Sequence, residues 1–137
     1  MLGWPDIPLA LRISMRISTP QQAAAYLRRV MKMDVEEFWV LAFDSDRKMI
    51  ASECLFRGTV DACFFHPRDV FRFACRTNAA SLIIAHNHPS ENPQPSSEDR
   101  EITRTILHAA SLLSIPVVDH LIITEGGEFS FLENDLL

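Results

Sequence analysis

The chain has 137 residues, 47% of them hydrophobic, and a formal net charge of −5 at pH 7. That length supplies one domain with a buried core and excludes both two comfortable domains and global disorder. The acidic balance offers no general attraction for nucleic acid, and no run approaches the ~20 apolar residues of a membrane-spanning helix.

The opening MLGWPDIPLALRISMRI is mildly apolar but interrupted by Pro5, Asp6, Pro8, Arg12 and Arg16. It has neither the basic start nor the small-residue cleavage site of a signal peptide. It reads as an irregular arm over residues 1–17, ahead of a domain over residues 18–137. Cys54, Cys63 and Cys75 are an odd number at wide spacings with no CxxC pair. They are expected to be buried free thiols in a reducing compartment, which points to a cytoplasmic protein.

Ser18-Thr19-Pro20 places a capping hydroxyl before a proline at the first helical position. A helix is expected from Gln21 to Met33, with Ala24, Leu27 and Met31 inward. Phe38 to Phe43 is apolar on both alternating faces, as a central strand covered on both sides would be. Asp44 to Lys48 reads as a turn into a second strand, MIASECLF, and TVDACFF as a third after Gly58. His66-Pro67 repeats the capped helix start, for a helix reaching about Asn78. SLIIAH is a short apolar strand.

The loop Asn87 to Pro95, with Pro89, Pro93 and Pro95, admits no regular element. A long helix starts near Ser96 and ends before Pro116. PVVDHLIIT is a strand, and Gly126-Gly127 turns it into EFSFL. Helices alternating with strands in this order predict an α/β (α+β) fold, a mixed sheet sandwiched by helices.

The segment HNHPSENPQPSSED, residues 86 to 99, carries the chemistry. His86 and His88 are two apart at a strand end, so their imidazoles point the same way, on the side of Leu82 and Ile84. Asp99 lies three residues before Ile102 in a helix whose apolar stripe runs Ile102, Ile106, Ala109, Ala110, Leu113. It therefore belongs on the core-facing side of the first turn, where a carboxylate needs a partner. Ser96-x-x-Asp99 also fits a plain helix cap, and a His-x-His pair can arise by chance. A stiff loop between an apolar strand end and an inward acid favours a metal site with a fourth position open for water. Two imidazoles and one carboxylate suit Zn²⁺.

The spacing HxHP…S…D resembles the JAMM motif of the MPN (JAB) metallopeptidase family. LFRGTVDACFFHPRDVF, NAASLIIAHNHPS, PSSEDREITRTI and VVDHLIIT are similar, more narrowly, to stretches of its RadC-type branch. The likeness covers about residues 18 to 137. It implies an MPN/JAB-like, cytidine deaminase-like architecture, with zinc held by His86, His88 and Asp99. It also implies a hydroxyl on Ser96 that stabilises an oxyanion, and an upstream glutamate acting on the bound water. The pattern E-x-F picks out Glu36 for that role, with Glu37 and then Glu53 as alternatives. The activity implied is hydrolysis of an amide in a protein or peptide by a metallopeptidase or isopeptidase. The alternative is a non-catalytic MPN-like interaction module attached to DNA repair or maintenance. RadC-type proteins usually carry a glycine after HNHPS, where this chain has Glu91. They also carry an N-terminal helix-hairpin-helix region, for which these residues leave no room, and that weakens any DNA-binding inference drawn from the likeness.

A zinc deaminase would need H-x-E with P-C-x-x-C, and a metzincin H-E-x-x-H; neither is present. A nuclease more often uses paired metals, and no second ligand cluster is visible. Asp119-His120 fits support behind a metal ligand, an extra ligand, or a satisfied core histidine. Asn87 is expected to face away from the histidines and fix the loop, His66 to cap a helix, and His108 to be solvated. Trp4 and Trp39 read as packing residues. The arm before Ile17 is available to pack against a second copy in a homo-oligomer.

Overall fold

The computed structural model describes residues 15–58 and 66–137. Its elements run α1 (Pro20–Val30), β1 (Glu36–Phe43), β2 (Met49–Gly58), α2 (Pro67–Arg76), β3 (Ser81–Asn87), α3 (Ser97–Leu113), β4 (Val117–Ile123) and β5 (Glu128–Ser130). The expected strand TVDACFF and nearly all of the arm over residues 1–17 lie outside the described residues, as does Trp4. The rest of the order is as the sequence predicts, and α1 stops three residues short of Met33.

Each helix start has a local cause. Thr19 accepts from the Gln22 N–H at 3.1 Å ahead of Pro20. His66 accepts from Arg68 N at 3.1 Å and forms a capping box with Asp69 ahead of Pro67. Ser96 and Asp99 form a second capping box at α3. These side chains satisfy N–H groups that the first helical turn leaves without partners. Ser114, in the left-handed region at φ 56°, ends α3 shortly before Pro116.

The five strands form one mixed sheet in the order β2-β1-β3-β4-β5. β1 pairs antiparallel with β2 and β3, β3 and β4 are parallel, and β5 returns antiparallel on β4. Strand alternation sends Phe38, Val40, Leu82 and Ile84 to a core shared with Val70, Phe73, Ile106 and Ala110 of α2 and α3. The other face carries Leu41, Phe43, Ile83, Ala85, Leu121 and Ile123 against Ala23, Ala24 and Leu27 of α1. The central strands are thus covered on both sides, which is why β1 and β3 are apolar at successive positions. Arg28 ties α1 to the β4–β5 turn by donating to Thr124 O at 3.0 Å and Gly127 O at 2.7 Å.

Two expectations change. Cys75 is exposed near the end of α2 and Cys54 half-buried on β2, the edge strand of the sheet, so neither lies in a core. Leu113 is half exposed, whereas Thr103 is buried; Ile102 and Ala109 pack partly buried beside Ile106 and Ala110, so the inward stripe of α3 takes in Thr103 and ends at Ala110. The Gly126-Gly127 turn forms as expected, closed by the Thr124 N–H to Gly127 O at 2.9 Å, with neither glycine at positive φ. His108 is exposed, as expected.

Glu91 adopts φ 68° in the turn closed by its N–H to His88 O at 3.2 Å. This is the backbone conformation that disfavours any side chain, and it stands where the RadC-type pattern has glycine. Glu91→Gly is expected to stabilise the protein by about 0.5–1 kcal/mol, the relief of a left-handed residue less the entropy gained by the unfolded chain. Thermal unfolding measures it as a rise in Tm of about 2–4 °C for a domain of this size.

Candidate metal centre

β3 ends where its register with β1 and β4 brings polar side chains onto the α2/α3 face. Phe38 pairs with His86, and continuing that register by two residues sets Glu36 level with His88. Ile84 pairs with His120 across the parallel side. Glu36, His86 and His120 therefore share one face by strand alternation alone. Glu37, Asn87 and Asp119 fall on the other. Helix α3 then approaches from above, its N-terminal turn presenting Asp99.

The donors converge. His86 Nε2 lies 3.0 Å from His88 Nε2 and 3.0 Å from Asp99 Oδ1. His88 Nε2 lies 3.2 Å from Asp99 Oδ2. Glu36 belongs to the same cluster: one ligand atom each of Glu36, His86 and His88 fall within 4.8 Å of one another. The His86 side chain is 5% exposed, that of Asp99 14% and that of His88 16%, so the group opens to solvent on the His88 side. Ligands at ~2.0–2.1 Å around a tetrahedral ion stand about 3.3 Å apart, close to the spacing of these donors.

Each imidazole also has its far nitrogen engaged. His86 Nδ1 shares a hydrogen bond of 2.8 Å with His120 Nε2. His88 Nδ1 lies 2.8 Å from Asn92 O, which fixes its ring through the proline-rich loop. Both Nε2 atoms therefore face inward, as metal-ligating histidines require. The donor atoms of Glu36, His86 and His88 form a group that could hold a metal ion, and the Asp99 carboxylate stands 3.0–3.2 Å from both imidazoles.

Burial pushes the Asp99 carboxyl up, but hydrogen bonds to His86 and His88, and the Ser96 N–H at 2.8 Å, outweigh it. They hold the carboxyl far below the usual carboxylate range. The hydrogen bond to Asp99 raises His88 above 6.5 against the opposing effect of burial. Burial drives His120 well below 6.5, with a further push from the charge of His86. Asp99 thus caps the helix and at the same time meets both imidazoles.

The three glutamates separate cleanly. Glu36 is half-buried beside the imidazoles, where E-x-F placed it. Glu37 is fully buried on the opposite face and accepts from Lys32 N at 2.7 Å, Trp39 Nε1 at 3.1 Å and Arg57 Nε at 2.6 Å. Burial raises its carboxyl, yet these donors leave it below its ordinary value. Glu53 pairs with Arg76 at 2.7 Å on β2. Neither Glu37 nor Glu53 belongs to the cluster with the imidazoles: Glu37 lies on the opposite face, and Glu53, level with Val40 on the site's own face, is farther along the sheet and paired with Arg76. Asn87 faces away as expected: its Oδ1 accepts from Glu37 N at 2.6 Å, and its Nδ2 donates to Val35 O at 2.7 Å and Lys32 O at 3.2 Å. It fastens the α1–β1 loop and so fixes where Glu36 begins its strand.

Ser96 is exposed at the α3 N-cap, its Oγ accepting from Asp99 N at 3.1 Å. Trp39 packs and donates to Glu37, and His66 caps α2. Thr103 is the site residue that sequence reasoning missed. A polar residue in line with Ile106 and Ala110 was the only available signal.

A family model described as RadC-like JAB domain matches residues 17–136. The chain is 44% identical over 109 residues to a UPF0758 protein of Symbiobacterium thermophilum, covering 80% of this chain and 47% of that protein. It is 38% identical over 128 residues to a UPF0758 protein of Pasteurella multocida, covering 93% of this chain and 57% of that one. A UPF0758 protein of Chromobacterium violaceum is 41% identical over 128 residues, with 93% of this chain and 57% of that one covered. The chain spans about half the length of the curated relatives it matches. With the match running through the strand, loop and helix that hold His86, His88 and Asp99, the chain belongs to the RadC-like JAB domain family.

Proposed function

We propose that this protein is a zinc-dependent hydrolase that cleaves an amide bond in a protein or peptide, as a metallopeptidase or isopeptidase. The observation that carries the reading is the convergence of His86 Nε2, His88 Nε2 and the Asp99 carboxylate within 3.0–3.2 Å, with Glu36 alongside. When bound, zinc supplies Lewis-acid polarisation of a carbonyl and brings the pKa of water toward ~7. His86, His88 and Asp99 are the residues that would hold it.

The remaining roles belong to the chain. Glu36, half-buried and beside the imidazoles, is placed to take a proton from water and deliver it to the leaving amine. Ser96 Oγ receives the Asp99 N–H, which leaves its own hydrogen available to a developing oxyanion. The His88 side of the site, being the more open, is where a substrate carbonyl would enter. Burial of His86 and Asp99 keeps bulk water from competing at the other side.

Three outcomes follow. Asp99→Ala should abolish stoichiometric zinc uptake, measured by elemental analysis of purified protein; full occupancy would remove Asp99 from the ligand set. Glu36→Gln should keep zinc and lose about 10²–10⁴-fold in hydrolysis of amide and isopeptide substrates, the span typical of a missing general acid–base. A zinc-loaded Glu36→Gln variant with undiminished biological activity would support the interaction-module reading instead. Zinc binding needs His88 without its proton, and Asp99 raises the pKa of that imidazole above 6.5. Affinity is therefore steady above that pKa and falls below it by about tenfold per pH unit for each proton that must be displaced. Chelator competition across pH 5 to 9 measures the curve, and a pH-independent affinity would contradict it.

A further inference from the structure

His120 is fully buried, and both of its ring nitrogens are engaged. Nε2 is 2.8 Å from His86 Nδ1, and Nδ1 is 2.5 Å from Thr103 Oγ1. Thr103 Oγ1 in turn donates to Asp99 O at 2.6 Å. The ring is clamped by stacking on Phe131, with centroids 4.4 Å apart and planes 11° from parallel. Both nitrogens being occupied and no edge free, His120 is not an additional ligand. It joins a residue of β3 to the first turn of α3 through the intervening strand.

We infer that His120 and Thr103 are positioning residues, forming a one-directional hydrogen-bond chain that fixes the His86 ring and locks it to the helix turn carrying Asp99. The inference rests on the metal-site reading proposed above. Its direction follows from proton counting. A neutral His86 that offers the Nε2 lone pair to an ion must carry its hydrogen on Nδ1. That hydrogen goes to His120 Nε2, so His120 carries its own on Nδ1 and gives it to Thr103 Oγ1. The Thr103 hydroxyl hydrogen then has one acceptor left, the Asp99 carbonyl. Every donor and acceptor is used once, and none is left over in a buried place. A metal-ligating histidine ordinarily leans on a carboxylate or a carbonyl. Here a neutral imidazole does that work and, unlike either, passes the constraint on to a second element of the site.

The full chain is titrated with zinc alone under chelator competition, for the wild type, His120→Phe, His120→Gln and Thr103→Val. His120→Phe keeps a flat ring against Phe131 and loses both hydrogen bonds; its zinc affinity should fall about 10–100-fold, the usual penalty for a lost outer partner. His120→Gln supplies one acceptor and one donor in the required sense and should recover most of that loss. Thr103→Val should weaken zinc while leaving the fold intact. A long-range proton–nitrogen spectrum of the zinc-loaded wild type should show both His86 and His120 as Nδ1–H tautomers, which a merely space-filling His120 would not require. If His120→Phe does not fold, Thr103→Val and the tautomers still decide. A His120 Nε2–H tautomer, or Thr103→Val and His120→Phe proteins binding zinc as tightly as the wild type, would overturn the inference. Failure of the wild type itself to bind zinc would sink the metal-site reading first and this inference with it.

Discussion

The arrangement depends on one carboxylate. Asp99 has little exposure, and a buried anion is tolerated only with donors around it. It has them from two sources: the Ser96 N–H at the start of α3, and the imidazoles of His86 and His88 at the end of β3. The helix terminus adds its own preference for negative charge. The same oxygens that end a helix properly are thereby aimed at two ring nitrogens. The site is fixed wherever α3 is fixed, and α3 is fixed by Ile106 and Ala110 packed on the sheet.

The sheet divides the work between its faces. At the start of β1, two adjacent glutamates meet opposite fates because successive side chains alternate. Glu36 turns to the imidazoles. Glu37 turns under α1, where Lys32 N, Trp39 and Arg57 surround it, and Asn87 holds its backbone N–H. A slip of one residue in this pairing would exchange the two and bury the wrong acid. The Glu37–Asn87 clamp makes such a slip expensive, since it would strip a fully buried carboxylate of its donors. Membership of the RadC-like JAB domain family is consistent with this build, while none of the described helices is long and apolar enough to cross a membrane.

Much of this was legible in the sequence because the signals are local. A capping hydroxyl with a proline marks the start of α1 and His66-Pro67 that of α2, the apolar run of β3 ends in His86, and the inward position of Asp99 follows from its spacing to Ile102. The choice between Glu36 and Glu37 was harder. Which acid faces the site depends on the register with β3, a long-range fact that the E-x-F pattern only hints at. Thr103 was invisible for a different reason. On an amphipathic helix a threonine beside the apolar stripe reads as solvated, and only the His120 ring opposite explains its burial. Leu113 failed in the converse sense: the last apolar residues of α3, Leu112 and Leu113, are left exposed among the described residues.

The central claim is that two imidazoles and one carboxylate of this chain share a single ion. X-ray absorption at the zinc edge of the purified, zinc-loaded protein tests it most directly. The account predicts four nitrogen or oxygen ligands at ~2.0–2.1 Å with the multiple-scattering signature of two imidazoles. Sulfur ligands at ~2.3 Å, or zinc with no imidazole signature, would contradict it.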